Sequence, residues 1–165
     1  DTMKNLNPRE IKLINTNRDL MKCKKLFLPG VGHYEKSIYQ IKKNNLDKGI
    51  KDLFNNSVPI FAICIGFHLL GNFSEESPKS EGLGLLDFSV KKIPSNLKLK
   101  IPNVNWMKVK KYKKNYKFYF THSYYVDKIN NNITDVSHTN YGKIKFISFL
   151  KYKNLTATQL SLIHI

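Results

Sequence analysis

Val58-Pro-Ile-Phe-Ala-Ile-Cys-Ile-Gly-Phe-His-Leu-Leu70 is the stretch on which the reading of this chain turns. Val58 to Ile63 is an unbroken apolar run with β-branched residues, as expected of a strand covered on both faces. After Cys64 the pattern becomes mixed, and Ile65 to Leu70 suits the first turns of a helix. Ala62 and Gly66 put small residues two positions either side of the cysteine. This is the x-small-x-Cys-x-Gly form of a nucleophile elbow, in which a tight strand-to-helix turn leaves the nucleophile exposed. A thiol at a helix N-terminus sits in positive potential, which favours the thiolate. The same pattern fits a buried core cysteine, and the local sequence leaves both readings open.

The surrounding chain bounds the class of protein. Its 165 residues, 41% of them hydrophobic, suffice for one domain with a sizeable core. No apolar run approaches bilayer-spanning length and no secretory signal opens the sequence, so neither a membrane partner nor export is expected. Cys23 and Cys64, the two cysteines, make neither a disulfide framework nor a metal cluster. A reducing cytoplasm and the absence of any metal or cofactor are the matching expectations.

A formal charge of +16 ordinarily suggests nucleic acid. Here the positive charge is nearly all lysine, Arg9 and Arg18 being the only arginines, whereas bidentate phosphate and guanine contacts favour arginine. The lysines are scattered in ones and twos among asparagine and isoleucine, with alanine only at 62 and 157, the bias that AT-rich codons produce. The densest cluster, Lys108 to Lys117, is interleaved with Tyr112 and Tyr116 and suits a basic strand edge or hairpin. The charge reads as a solvated surface rather than as a nucleic-acid interface.

Upstream of the elbow, Ile11 to Ile14 is a short strand candidate and Lys25 to Leu28 a more buried one, ending at Pro29-Gly-Val-Gly32. Tyr34 to Leu53 carries apolar residues at helical spacing, interrupted near Asn44-Asn45. Strand, helix, strand, helix in this order implies a parallel sheet with crossovers, hence an α/β domain. Beyond residue 71, Ser74 to Gly84 reads as a polar loop. Shorter β-like pieces follow at Leu85 to Ile93, Trp106 to Val109, Lys117 to Phe120, Ser123 to Val126, Ile144 to Leu150 and Leu155 to Thr158. Asparagine-rich turns such as Asn130 to Asn132 separate two hairpin-like pairs. Ligands of a doubly wound sheet bind at the carboxyl ends of its strands, where both the Pro29 to Gly32 turn and the elbow fall. Glycines at 30 and 32 let the backbone present N–H groups inward, as an oxyanion hole requires, although one such turn alone fits an ordinary strand-to-helix connection.

Leu28-Pro-Gly-Val-Gly32, Cys64-Ile-Gly66 with Leu69-Leu70, Ser74-Glu-Glu-Ser77 and Gly82-Leu-Gly-Leu85 together resemble the class I (triad) glutamine amidotransferases. Ile101-Pro102, Trp106 and Tyr119-Phe-Thr-His-Ser-Tyr-Tyr125 resemble, within them, the glutaminase subunits of imidazole glycerol phosphate synthases. The ordered set runs from about Ile11 to Gln159. The resemblance implies a flavodoxin-like, mostly parallel sheet with flanking helices and an antiparallel β extension, in a domain over residues 1–159 with an atypical tail at 160–165. It implies Cys64 as nucleophile on the glutamine amide, releasing ammonia and leaving a γ-glutamyl thioester. Backbone N–H groups of Val31 or Gly32 and of Ile65 form the oxyanion hole, and Gly30, His68, His122, Ser123 and Tyr124 lie at the glutamine. Trp106 and Tyr119 face the partner, a cyclase subunit that receives the ammonia and makes imidazole glycerol phosphate and AICAR in histidine biosynthesis. A related amidotransferase serving surface-polysaccharide sugar amination stays open as an alternative.

Three departures qualify what the resemblance implies. The opening strand and its Asp-Tyr-Gly-x-Gly-Asn turn are missing, with Thr2 to Leu6 reading as the tail of the first helix, so the chain is expected to be truncated at both ends. Ala157-Thr-Gln159 fits the approach to the family's His-Pro-Glu, yet Leu160-Ser-Leu-Ile-His-Ile165 follows. His164 is out of position, and no carboxylate-oriented base is present to recycle the thiol. His68 stands where the family has glutamine. A catalytically impaired subunit that binds without turning over is therefore the second expectation, with His122 a poor substitute base in the pocket wall and His33 and His138 surface or loop histidines.

Overall fold

A computed structural model describes residues 11–111 and 114–161. Thr2 to Leu6 and His164 lie outside the described residues, as does Tyr112 of the basic cluster. The principal sheet has five strands. Its parallel core is β1 (Leu26–Leu28), β2 (Ile60–Ile63) and β10 (Leu155–Thr158), with β2 in the middle. Antiparallel β9 (Ile144–Tyr152) and β8 (Asp135–Tyr141) extend it. The expected α/β architecture with an antiparallel extension is what forms.

Between β1 and β2 the crossover is helical. α1 (Asn17–Leu20) precedes β1, and α2 (Tyr34–Lys43) and α3 (Leu46–Asn55) follow it. Leu46, Gly49, Ile50 and Leu53 recur at helical spacing and are buried, so α3 packs by one apolar stripe. The break expected near Asn44-Asn45 is real. Asn45 adopts φ +54°, a left-handed conformation that asparagine tolerates. β2 leads into the one-turn helix α4 (Ile65–His68) through Cys64.

The remaining strands form two small sheets. β3 (Phe73–Ser74), β4 (Ser89–Lys92) and β7 (Tyr124–Tyr125) make one. β5 (Asn103–Lys111) and β6 (Lys114–His122) make a long antiparallel hairpin in which Trp106 pairs with Tyr119 and Asn103 with His122. The larger core lies against the principal sheet, around Phe67, Leu70, Val90, Leu150 and Ala157. A second gathers Ile93, Val109, Phe120, Tyr125, Ile144 and Phe146 beneath the hairpin. Among the described residues no helix is long and apolar enough to cross a membrane.

Three expectations need correction, and one strand was not expected at all. Ile11 to Ile14 is not a strand: Leu13 is 80% exposed, and among the described residues the segment has no ladder to hold it extended. β2 is not covered on both faces, because Phe61 is 40% exposed and stacks on Phe27 at 5.6 Å. Ser74 to Gly84 is not wholly loop, since Ser74 pairs with Val90. β8 was hidden by its polar composition; Ser137 and Thr139 are the inward residues and pairing with β9 draws them in. His138, expected on the surface or in a loop, is on the surface, at an exposed position of that strand.

Candidate active site

β1, β2 and β10 run parallel, so their carboxyl ends meet at one edge of the sheet. Leu28 there gives way to Pro29 to Gly32, Ile63 to Cys64, and Thr158 to Gln159 and Ser161. A cavity of about 370 Å³ opens at this edge. Gly30, Val31, Gly32, Cys64, Ile65, His68, His122, Ser123 and Tyr124 all line it. These are the candidate catalytic, oxyanion-hole and substrate residues of the sequence, and the fold brings them to one place from three separate segments. Trp106 and Tyr119 lie outside it and pack on each other, ring centroids 5.5 Å apart.

The elbow is strained. Cys64 has φ +54° and ψ −115°, a backbone conformation that a non-glycine residue adopts at a cost of about 1–3 kcal/mol and that clusters at functional sites. The Cys64 N–H donates to the Thr158 carbonyl at 2.8 Å, which ties the turn to β10. Gly66 lets the turn close against β1, because a Cβ there would stand 2.0 Å from the Leu28 carbonyl oxygen. Gly30 does the same from the other side, lying against Ile65. Gly32 adopts φ +129°, which glycine alone takes without strain.

Burial pushes the Cys64 thiol above its ordinary value; the Ile65 backbone N–H pulls it down and the Glu76 charge pushes it up again. Glu76 also accepts from the Tyr34 N–H at 3.2 Å, capping α2 where His33 provides no side-chain cap. His33 Nε2 stands 3.9 Å from Glu76 Oε1 at the rim of the cavity.

Two buried histidines share the cavity. His122 has both ring nitrogens engaged, Nδ1 donating to the Tyr124 carbonyl at 2.9 Å and Nε2 accepting from Asn103 Nδ2 at 2.9 Å. The carbonyl can only accept, so the ring is the Nδ1–H tautomer. His68 Nε2 lies 2.6 Å from Gln159 Oε1. Burial lowers both imidazoles to about 4, so both are neutral at pH 7. His122 therefore has no free nitrogen for a thiol.

Glu76, Pro102, Thr121 and Ser161 also line the cavity, and sequence reasoning assigned none of them a role. Glu76 lay inside a quoted motif but nothing local marks its reach to α2. Leu160 packs against the second core, and the Ser161 N–H donates to the Tyr119 carbonyl at 2.9 Å, so both belong to the folded unit.

A strained cysteine at a parallel-strand edge, facing glycine-rich backbone across a cavity, is the arrangement of a thiol amidotransferase. The profile of the CobB/CobQ-like glutamine amidotransferase domain matches residues 1–120. The imidazole glycerol phosphate synthase subunit hisH of Cyanophora paradoxa is 34% identical over 158 residues, spanning 90% of this chain and 73% of the relative. The HisH subunit of Dehalococcoides mccartyi (strain 195) is 32% identical over 159 residues, 91% of this chain and 76% of the relative. Among solved structures, a glutamine amidotransferase superposes with TM-score 0.77 at 14% identity, covering 97% of this chain and 81% of the other. The glutaminase domain of Trypanosoma brucei CTPS, with bound acivicin, gives 0.59 at 15% identity over 90% of this chain and 67% of that one, which shares the fold. The chain belongs to the glutamine amidotransferases, in the HisH family of imidazole glycerol phosphate synthase subunits.

Proposed function

We propose that this chain hydrolyses glutamine through Cys64 and delivers the ammonia to a cyclase subunit that forms imidazole glycerol phosphate and AICAR in histidine biosynthesis. The observation that carries the reading is the convergence of the strained Cys64, the Gly30 to Gly32 backbone and the Ser123-Tyr124 segment on one cavity. Cys64 Sγ attacks the side-chain amide carbon, ammonia leaves, and water later cleaves the γ-glutamyl thioester. Backbone N–H groups of Ile65 and of Val31 or Gly32 stabilise the tetrahedral oxyanion. Ser123 and Tyr124 orient glutamine, and residues 1–159 act as one glutaminase domain on which Leu160 and Ser161 also pack. Cytoplasmic residence follows from the free thiol and the biosynthetic role.

The face for the cyclase is read on the β5–β6 hairpin. Val104, Trp106, Tyr119 and Thr121 occupy one side of it by strand alternation, and Thr121 also lines the cavity. Trp106 is 58% exposed. An aromatic surface continuous with the cavity mouth suits a partner that collects ammonia without releasing it to water. Trp106→Ala should weaken association with the cyclase by a factor of about 30, measured by titration calorimetry; unchanged affinity removes the hairpin from the interface.

The test of the chemistry is a thiol-directed glutamine analogue applied to the chain with its cyclase, read by mass spectrometry. Labelling of the Cys64 peptide, absent in Cys64→Ser, is expected; a folded chain that stays unlabelled overturns the proposal. Ammonia release that relies on the described cavity residues alone should be weak, roughly 10²–10⁴-fold below what a histidine base supports, since His122 has both nitrogens engaged and His68 Nε2 faces Gln159. Turnover at the level a histidine base supports would show that another group serves as base.

A further inference from the structure

Cys64 Sγ has a side-chain partner of its own. Gln159 Nε2 donates to it at 3.8 Å, while Gln159 Oε1 faces His68 Nε2 at 2.6 Å. The Gln159 side chain is fully buried and His68 is 4% exposed, so neither amide nor imidazole trades these contacts for water. Both flanking elements are anchored by backbone. The Gln159 N–H donates to the Ser148 carbonyl at 3.1 Å, and the His68 N–H to the Cys64 carbonyl at 3.1 Å, placing His68 one turn beyond the cysteine on the same side of α4.

We propose that Gln159 stabilises the Cys64 thiolate through its amide N–H and that His68 is the positioning residue that fixes the direction of that amide. The argument is one of donor and acceptor inventory, and it rests on Cys64 being the nucleophile. An amide oxygen accepts only, so the short contact requires the proton on His68 Nε2; the amide nitrogen then points at sulfur and can only donate. Reversing the amide would place its oxygen on Sγ and its N–H₂ on the imidazole, which would disfavour the thiolate. In the first arrangement His68 carries its proton on Nε2, and the contacts of the imidazole with Gln159 Oε1 and of the Gln159 Nε2–H with sulfur support each other. The chain from imidazole N–H through amide to thiolate is polarised in one sense, and each bond strengthens the next. Burial and the Glu76 charge oppose ionisation of the thiol, so a donor aimed at Sγ acts where the thiolate needs it. The cavity's other titratable groups are His122 on β6, engaged by Asn103 and Tyr124, and Tyr124 on β7.

The readout is the pH dependence of iodoacetamide alkylation at the Cys64 peptide, followed in the full chain. Gln159→Leu should move the midpoint up by about one pH unit, a tenfold slower reaction at a fixed pH below both midpoints. His68→Leu should move it up by roughly half a unit, and His68→Gln, whose amide can donate to the same oxygen, should restore the parent midpoint. A midpoint unchanged or lowered in Gln159→Leu overturns the proposal, and one unchanged in His68→Leu removes the positioning role. If Gln159→Leu does not fold, the unaltered chain decides. The ¹⁵N side-chain amide signal of Gln159 should titrate with the same midpoint as the thiolate absorbance at Cys64, and an amide that stays still through that titration overturns the assignment. Failure of the glutamine analogue to label Cys64 leaves all these midpoints measurable, so the two proposals fail separately.

Discussion

Acidification from pH 7.5 to pH 5 is expected to remove about 4 kcal/mol of folding stability, about 2 kcal/mol from each of His68 and His122. Both imidazoles are held near 4 by burial, against an ordinary value of 6.5. The unfolded chain therefore binds protons that the folded chain refuses over that interval. The stabilisation is complete above pH 6.5 and is lost progressively as the pH falls toward 4. It amounts by then to about 3 kcal/mol per histidine, a large share of the 5–15 kcal/mol typical of a domain. Urea unfolding at several pH values measures it. The double variant His68→Gln, His122→Gln should be less stable at pH 7.5 yet show a much flatter dependence between pH 7.5 and 5. If its slope equals that of the parent, the histidines are not the source.

Gly66→Ala should destabilise the chain by roughly 3 kcal/mol or more, although alanine is the better helix former by about 1 kcal/mol. The added Cβ would lie 2.0 Å from the Leu28 carbonyl oxygen and 2.9 Å from its carbon. Both are backbone atoms of β1, so no rotamer change relieves the clash. β1 would have to move from β2, carrying the Pro29 to Gly32 loop away from the elbow. Alkylation of Cys64 should accelerate as the site loosens, and the melting temperature should fall by about 6–12 °C. Gly32→Ala is the contrast. Nothing lies within 4 Å of its Cβ, and only the φ of +129° is strained, so a loss of about 1–2 kcal/mol is expected. Equal stability in Gly66→Ala and the parent would mean that the elbow is looser than its geometry.

Much of the site was legible because its signals are local. A tight strand-to-helix turn demands small neighbours, and Ala62 and Gly66 supply them around Cys64. Close backbone approach demands glycine, and Gly30 meets Ile65 where only glycine fits. The helix interruption at Asn45 was visible for the same kind of reason. Ile11 to Ile14 misled because three strand-favouring apolar residues around Lys12 have strand composition whether or not a partner exists to pair with them. β8 escaped because Asp135 to Tyr141 has little apolar content, and its inward threonine and serine are held by β9. His68 stands where the family has glutamine, and its short contact with Gln159, 91 positions away, has no local trace.

What the sequence alone determined is the chemistry that fits within a few residues: the apolar run, the elbow around Cys64, the glycine turn after β1 and the ordered set of motifs that marks the family. What the tertiary structure decided is which distant groups meet. The parallel register of β1, β2 and β10 brings three strand ends to one edge. That register, set by packing across the whole core, places the Gln159 amide on the Cys64 sulfur and leaves the two buried histidines uncharged. Periodicity and turn chemistry act over a handful of residues, whereas the hydrogen bonds linking residues 64, 68 and 159, and those of His122 to Asn103 and Tyr124, exist only once the strands are stacked.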